Sequence, residues 1–188
     1  MKLLLYCTKA KPYIMKYKDG KYKEIASFYN KQDLATYDLL NGKIVAECDY
    51  EVEEITYELY GDLDWQYDYL PTTNTMGICN LESASCLDRK EIENYLQDKD
   101  GYAIHIKNLH IFDEPRELSE CDKIYQTNRG AESDGEITKA PQNMMYAQNE
   151  KQNKEYILIS IKPEWLCKIL NGEKTIEVRK RVLKEMLR

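Results

Sequence analysis

The clearest pattern of hydrophobic and polar positions lies in the last quarter of the chain. Residues 157–161 are an apolar run, ILISI, of the length of a buried strand. Pro163 suits the first turn of a helix, because its missing N–H has no partner there. The following apolar residues share one helical stripe, namely Trp165, Leu166, Ile169 and Leu170. Gly172 favours a left-handed helix end, and residues 175–179 alternate again. The pattern predicts a strand, a helix and a second strand.

Four other segments have a recognisable period. Residues 2–7 are short and apolar, which predicts a buried strand, and residues 41–55 alternate like a half-buried strand. Residues 85–101 place their apolar side chains on one stripe, which predicts a helix of about three turns. Residues 101–112 predict a strand that bends near Lys107. The sequence therefore favours a mixed α+β fold.

Two long stretches lack such a period. Residues 56–80 mix aromatic, acidic and amide side chains, and we expect an insertion or a loop there. Residues 119–155 are polar, with turn signals at 128–130 and 133–135. We expect this stretch to be loop apart from a short element at 140–147.

Length and composition are typical of one soluble globular domain. The chain has 188 residues, of which 32% are charged and 43% apolar, a profile that disfavours disordered and membrane proteins. The apolar run at residues 3–7 is too short for a signal peptide or a membrane span. We expect a cytoplasmic protein that does not associate with a membrane.

The six cysteines are scattered without a Cys-x-x-Cys pair, which predicts reduced thiols in the cytoplasm. Cys79 and Cys86 with His105 and His110 contain the atoms for a zinc site, but none of their spacings is usual for zinc ligands. We therefore expect no metal and no other cofactor.

Charge is distributed unevenly along the chain. The net charge is −6, which argues against a generally basic nucleic-acid-binding surface. Residues 44–88 contain eleven carboxylates and no Lys or Arg, whereas residues 179–188 contain five basic residues and one acid. Such blocks most often form solvated surface.

The last predicted strand presents a row of polar groups. Strand alternation places Thr175, Glu177 and Arg179 on the face opposite the apolar residues, with Lys174 in the turn before them. These groups are suited to binding a phosphate or a base, or to proton transfer. The alternative is an ordinary amphipathic strand in which Glu177 pairs with Lys174 or Arg179, and the pattern alone favours it.

Residues 157–181 resemble the opening strand, helix and strand of ASCH domains, relatives of the PUA domain with a G-x-K-x-x-E-x-R hallmark. Gly172, Lys174, Glu177 and Arg179 match that hallmark. Other segments resemble the later strands of the family in a rotated order, namely 2–8, 42–55, 101–112 and 140–147. The chain is therefore similar to a circularly permuted ASCH domain, a type common in bacteriophage genomes.

The resemblance implies an α+β fold of the PUA-like type, a small curved β-barrel with flanking helices. A single domain would cover residues 1–188, with the later strands and insertions in 1–150. The strand-helix-strand of 151–188 would complete the barrel, because such a unit cannot bury its apolar face alone. The alternative is that 151–188 begin a second, incomplete domain. The location implied is the cytoplasm of a bacterial or phage-infected cell.

For function, the resemblance implies recognition of RNA, a nucleotide or a modified base. Lys174 and Arg179 would contact phosphate, and Glu177 would accept a hydrogen bond from an exocyclic amine. Some ASCH proteins are instead amidohydrolases that act on N4-acylated cytidine with a Lys, a Thr three residues later and a remote Glu. Here Lys174 matches the Lys, Glu177 stands where the Thr would be, Thr175 is nearby, and Glu82 is the candidate remote carboxylate.

Two further expectations concern partners. The acidic stretch 44–88 is suited to mimic a phosphate backbone, so the chain is also a candidate phage-encoded inhibitor of a host defence or nucleic-acid enzyme. The polar segment 121–155 would let the terminal unit close on its own chain or on a twin. We therefore expect a monomer or a domain-swapped dimer.

Overall fold

The computed structural model describes residues 1–17, 19–27, 31–60, 66–71, 78–127, 130–149 and 154–187. The chain divides into two compact units, each built from two separate stretches of sequence. Unit 1 comprises Met1–Asp49 and Asn108–Asn171, and unit 2 comprises Tyr50–Lys107 and Gly172–Arg188. Two long strands contribute residues to both units.

The described residues form eleven strands and four α-helices. The strands are β1 (Lys2–Cys7), β2 (Tyr13–Lys16), β3 (Tyr22–Ile25), β4 (Ile44–Tyr60), β5 (Gln66–Pro71), β6 (Gly101–Arg116), β7 (Asp122–Thr127), β8 (Gly130–Glu136), β9 (Met144–Asn149), β10 (Lys154–Ile161) and β11 (Ile176–Arg179). The helices are α1 (Lys31–Leu34), α2 (Ile78–Ser85), α3 (Arg89–Leu96) and α4 (Pro163–Leu170). Short 3-10 turns cover Leu118–Glu120 and Lys184–Leu187.

In unit 1, β10 is a central strand. It pairs in parallel with β1 and antiparallel with β9, while β9 pairs with β7 and β7 pairs with β8. The first residues of β4 pair with the other side of β1. Consecutive residues of β1 and β10 are buried, so both faces of these strands are covered, which explains their apolar runs. The core on one face contains Leu4, Tyr6, Ile44, Phe112, Cys121, Ile137, Ala147, Tyr156 and Leu158.

Helix α4 packs on the β2–β3 hairpin within the same unit. Pro163 occupies the first turn of the helix, as the sequence predicts. The side chain of Asn171, just after the helix, accepts a hydrogen bond from the Tyr22 N–H and donates one to the Tyr22 carbonyl, both at 3.2 Å. One amide side chain thus satisfies both backbone groups of a residue in β3.

In unit 2, β11 pairs antiparallel with β6, and β4 pairs antiparallel with β5. Helix α3 begins at a capping box in which Asp88 accepts from the Glu91 N–H and Glu91 accepts from the Asp88 N–H, each at 2.8 Å. The buried residues of this unit form one cluster, namely Ile55, Leu81, Ile92, Leu96, Ala103, Ile176 and Val178. Helices α2 and α3 therefore cover the apolar face of β11 and its neighbours.

The α+β class and the predicted strand-helix-strand are confirmed by β10, α4 and β11. The expected closed barrel is wrong for the described residues. The strand order of unit 1 ends at β8, which pairs with β7 alone, and that of unit 2 has β11 and β5 at its ends. The hypothesis of a single ASCH-like domain over 1–188 stays a prediction, and β10 and α4 belong to unit 1 while β11 belongs to unit 2.

Two predicted loops are wrong. Within 56–80, β4 continues to Tyr60 and pairs with β5, whereas residues 61–65 and 72–77 lie outside the described part. Within 119–155, β7 and β8 form where a loop was expected, and β9 overlaps the short element expected at 140–147. Cross-strand pairing holds these segments extended although their own sequences lack an apolar face. The predicted turn at 128–130 lies largely outside the described residues.

None of the described helices is both long enough and apolar enough to span a bilayer.

Candidate functional site

The candidate site in unit 2 begins where the chain enters β11. Gly172 has φ of 75°, the left-handed conformation that ends a helix without strain at a residue lacking Cβ. The Thr175 N–H then donates to the Ala84 carbonyl at 2.8 Å, and the Ile106 N–H donates to the Thr175 carbonyl at 2.9 Å. These bonds fix the backbone on both sides of Lys174.

Three charged side chains converge at this point. The Lys174 ammonium donates to the Ser85 carbonyl at 2.5 Å and lies 3.4 Å from one carboxylate oxygen of Glu177. The other carboxylate oxygen lies 2.9 Å from Nη2 of Arg179. The Glu177 carboxylate therefore lies between two cations. We call Lys174, Glu177 and Arg179 the charge cluster.

The charge cluster is buried rather than displayed. The Lys174 side chain is 1% exposed, and the side chains of Glu177 and Arg179 are each 11% exposed. The sequence predicts the ion pairs correctly but not their burial, because strand alternation assigns polar groups to an open face. The arrangement is a buried salt bridge, in which desolvation opposes the Coulombic attraction.

Burial lowers the pKa of Lys174 from its usual 10.5, and the neighbouring Glu177 carboxylate only partly opposes that shift. The lysine is thus easier to deprotonate than a solvated one. With Lys174 protonated, two cations and one carboxylate leave the cluster with one positive charge. This local sign is opposite to the net charge of −6 of the chain.

Cys86 is a neighbour of the cluster that the sequence does not reveal. Its thiol donates to the Glu173 carbonyl at 3.3 Å, and its backbone has φ of 54°. Cys86 is half-buried, whereas Cys7, Cys48, Cys121 and Cys167 are buried. The contacts of Ser85 and Cys86 with residues 173–174 span almost half the chain, so no local sequence signal would have found them.

Two predicted site residues do not join the cluster. The Thr175 side chain is exposed, whereas that of Lys174 before it is buried. Glu82 is half-buried on α2, and among the described residues no hydrogen bond or ion pair connects its carboxylate to the cluster. The catalytic roles of Thr175, Glu177, Glu82 and Lys174 stay predictions.

Four acids of β4 are paired within their own units. In unit 1, Glu47 and Asp49 lie 3.5 and 3.4 Å from the Lys2 ammonium. In unit 2, Glu51 pairs with Lys107, and Glu53 lies 3.0 Å from Nε2 of His105. The acidic stretch 44–88 is therefore partly neutralised by neighbouring strands. The side chains of 58–80 lie outside the described part.

No group of three His, Cys, Asp or Glu side chains in the described ranges is placed to hold a metal ion. The side chain of Cys79, one of the zinc candidates, lies outside those ranges. Neither a protein-family model, nor a curated protein, nor a solved structure shows a significant match to the chain. Membership of the ASCH family stays a prediction.

Proposed function

We propose that the chain binds a nucleotide, single-stranded RNA or a modified base through the charge cluster of unit 2, as a circularly permuted module of the ASCH type. The observation that carries the proposal is the Glu177 carboxylate held between Lys174 and Arg179. These residues stand at the hallmark positions of the resemblance. The phage origin is proposed on that resemblance alone.

The energetics of burial support a binding role. Apolar residues of similar volume often replace a buried ion pair without loss of stability. The stability of the fold therefore does not by itself require three charged side chains at these buried positions. A residual positive charge in a partly desolvated setting attracts a phosphate more strongly than the same charge in water.

The different burial of the three side chains supports a different proposed role for each. Arg179 is more accessible than Lys174, and its planar guanidinium is suited to a bidentate phosphate contact. Glu177 has its orientation fixed by two cations and accepts a hydrogen bond from an exocyclic amine of a base. Lys174, the most buried of the three, contacts the Glu177 carboxylate and helps to orient it.

The test is the affinity for a labelled single-stranded RNA of mixed sequence and for N4-acetylcytidine, measured with Arg179→Met. We expect a loss of at least about tenfold for RNA and a shallower dependence on salt. Lys99→Met removes an exposed cation from the same unit and is the matched control. Arg179→Lys keeps the charge if the first variant folds poorly. RNA binding that is equal in all variants would overturn the proposal.

A second candidate is the amidohydrolase, and the lowered pKa of Lys174 favours it. A neutral Lys174 amine would take a proton from a water molecule that attacks the acyl carbon of N4-acylated cytidine, and the Lys174 ammonium so formed would pass that proton to the leaving amine, with the carboxylate of Glu177 or Glu82 as the relay. Water is the preferred nucleophile because Thr175 is exposed. Release of cytidine that disappears in Lys174→Met and persists in Thr175→Val supports this candidate, and absence of turnover refutes it.

The inhibitor hypothesis receives less support. Four acids of β4 already contact Lys or His side chains of neighbouring strands, namely Glu47, Asp49, Glu51 and Glu53. A phosphate mimic needs carboxylates that are available to basic residues of a partner. The hypothesis would regain support if the chain captured a host protein with an affinity that falls steeply as the salt concentration rises.

A further inference from the structure

The end of helix α3 lies beside the charge cluster within unit 2. Tyr102 is the cross-strand partner of Arg179 in the pairing of β6 with β11. The residue before it, Gly101, is in close contact with both elements. A Cβ at Gly101 would lie 2.6 Å from Cδ2 of Leu96 and 3.2 Å from the Arg179 carbonyl oxygen. The missing side chain therefore lets the last turn of α3 approach the end of β11.

That last turn presents an aromatic ring to solvent. Tyr95 is 39% exposed, whereas Ile92 and Leu96 of the same helix are buried. The Lys180 ammonium lies 5.4 Å from the centroid of the Tyr95 ring and donates a hydrogen bond to Oε1 of Gln97 at 3.1 Å. These two contacts place a cation next to a ring that remains partly exposed.

The two cations at the end of β11 lie on different sides of the strand. Arg179 is the last residue of β11, and Lys180 follows it directly. Consecutive side chains of an extended chain point to opposite faces. Arg179 contacts Glu177, whereas Lys180 contacts Tyr95 of α3. Among the described strands β11 pairs with β6 alone, so a ligand that passes round this edge would meet both cations in succession.

The acids nearest to Tyr95 in sequence are largely engaged within unit 2. Residues 89–100 contain four of them. Glu91 accepts a hydrogen bond in the capping box, and Glu93 lies 3.5 Å from the guanidinium of the first helical residue. Asp100 accepts a hydrogen bond from a backbone N–H of β4 at 2.9 Å. The fourth acid, Asp98, is exposed.

The surface after β11 is basic. Lys180, Arg181 and Lys184 are exposed, and the one acid of residues 180–187 is Glu185. Glu185 is half-buried, and burial together with its carboxylate raises the pKa of the Tyr50 phenol. An exposed aromatic ring beside exposed cations is the combination that single-stranded nucleic acids recognise, because bases stack on the ring and phosphates pair with the cations.

We propose that Tyr95 and Lys180 form a second subsite for single-stranded RNA next to the charge cluster. A base stacks on the exposed part of the Tyr95 ring, and Lys180 contacts the phosphate that joins this nucleotide to the one at Arg179. The inference rests on the proposed function of the charge cluster and adds to it a preference for strands over single nucleotides. Stacking tolerates any base, so the subsite adds affinity without adding sequence specificity.

The test is calorimetric titration of the whole chain with a ten-nucleotide single-stranded RNA of mixed sequence and, separately, with CMP. Tyr95→Ala should weaken RNA binding by about fivefold or more, because one stacked base contributes at least that much. It should weaken CMP binding less, since one nucleotide does not fill both subsites. Tyr95→Phe keeps the ring and should retain the RNA affinity. Lys180→Met should reduce the slope of log affinity against log salt concentration by about one.

The matched control is Lys90→Met, which removes an exposed cation from the first turn of α3, at the other end of the helix. It should bind RNA and CMP like the parent. Equal losses for RNA and CMP in Tyr95→Ala would overturn the subsite, because the change would then act on the fold or on the charge cluster.

The subsite and the proposed function fail in different ways. If Arg179→Met weakens RNA binding while Tyr95→Ala and Lys180→Met behave like Lys90→Met, the subsite is overturned and the proposed function stands. If Arg179→Met binds RNA like the parent, the proposed function is overturned. The subsite is then overturned with it, because it is defined by its continuity with the nucleotide at Arg179.

Discussion

Residues 154–179 and residues 122–136 contain similar chemistry in opposite environments. The first stretch contains the central strand β10 and a Lys–Glu–Arg cluster that is almost completely buried. The second is the β7–β8 hairpin, where Lys123 and Tyr125 both contact Asp134 in the open, and Tyr125 is 48% exposed. Burial decides the effect of a charge in each stretch, and it also decides how well sequence predicts the structure.

The largest expected difference comes from deleting residues 151–188. Deletion removes β10 from between β1 and β9, so both strands lose a partner and their apolar faces are exposed to water. We expect loss of the cooperative unfolding transition, measured by circular dichroism during heating. Leu158→Ala is a milder variant that should cost about 2–5 kcal/mol, since Leu158 is completely buried. A truncated chain that melts cooperatively near the parent Tm would contradict the central place of β10.

The same difference explains which elements were predictable. The apolar run of β10 and the stripe of α4 require burial on a definite face, so their period is visible in the sequence. Strand β8, GAESDGE, is almost completely exposed, and its extended form comes from pairing with β7. Pairing with a neighbour imposes no alternation of apolar and polar residues on an exposed strand. The sequence of this segment therefore predicts a loop.

The candidate site was predictable in part for a related reason. The spacing of Lys174, Glu177 and Arg179 indicates ion pairs, because the three residues follow one another on a short strand and its preceding turn. Their burial depends on α2, whose last residue, Ser85, accepts the Lys174 hydrogen bond. That contact is set by the tertiary fold, and no local pattern encodes it.

The next largest effect is expected from Glu177→Met. Removal of the carboxylate leaves the Lys174 and Arg179 cations near each other in a buried place without the anion between them. We expect a loss of about 3–5 kcal/mol in the free energy of unfolding, measured with urea. Lys174→Met should cost less, because the Arg179–Glu177 pair remains. Equal and small losses in both variants would show that water reaches the cluster.

The pH dependence of the free energy of unfolding should reveal the contribution of Lys174. The pKa of Lys174 is lowered in the folded state, whereas the unfolded state keeps the usual value of 10.5. Between these two values the unfolded chain binds more protons, so the free energy of unfolding rises with pH. The stability of the parent relative to Lys174→Met should therefore increase as pH rises from the lowered pKa towards 10.5. A difference that stays flat over that window would mean that the ammonium is well solvated, and one that falls would mean that the pairing with Glu177 outweighs burial.

The smallest effect is expected from Asp134→Asn in the hairpin. Asp134 accepts hydrogen bonds from Lys123 and Tyr125 at 3.3 and 3.0 Å, and these contacts lower the pKa of its carboxyl group. Water solvates all three groups, so an amide and water replace most of what the carboxylate contributes. We expect a change in Tm close to the error of the measurement, and a still smaller one in high salt, where exposed charges are screened. Because Glu177→Met and Asp134→Asn each remove one carboxylate from a group with a lysine, their ratio measures the effect of burial directly. A loss from Asp134→Asn as large as that from Glu177→Met would mean that the hairpin is covered in solution, and its exposed face would then be a contact surface.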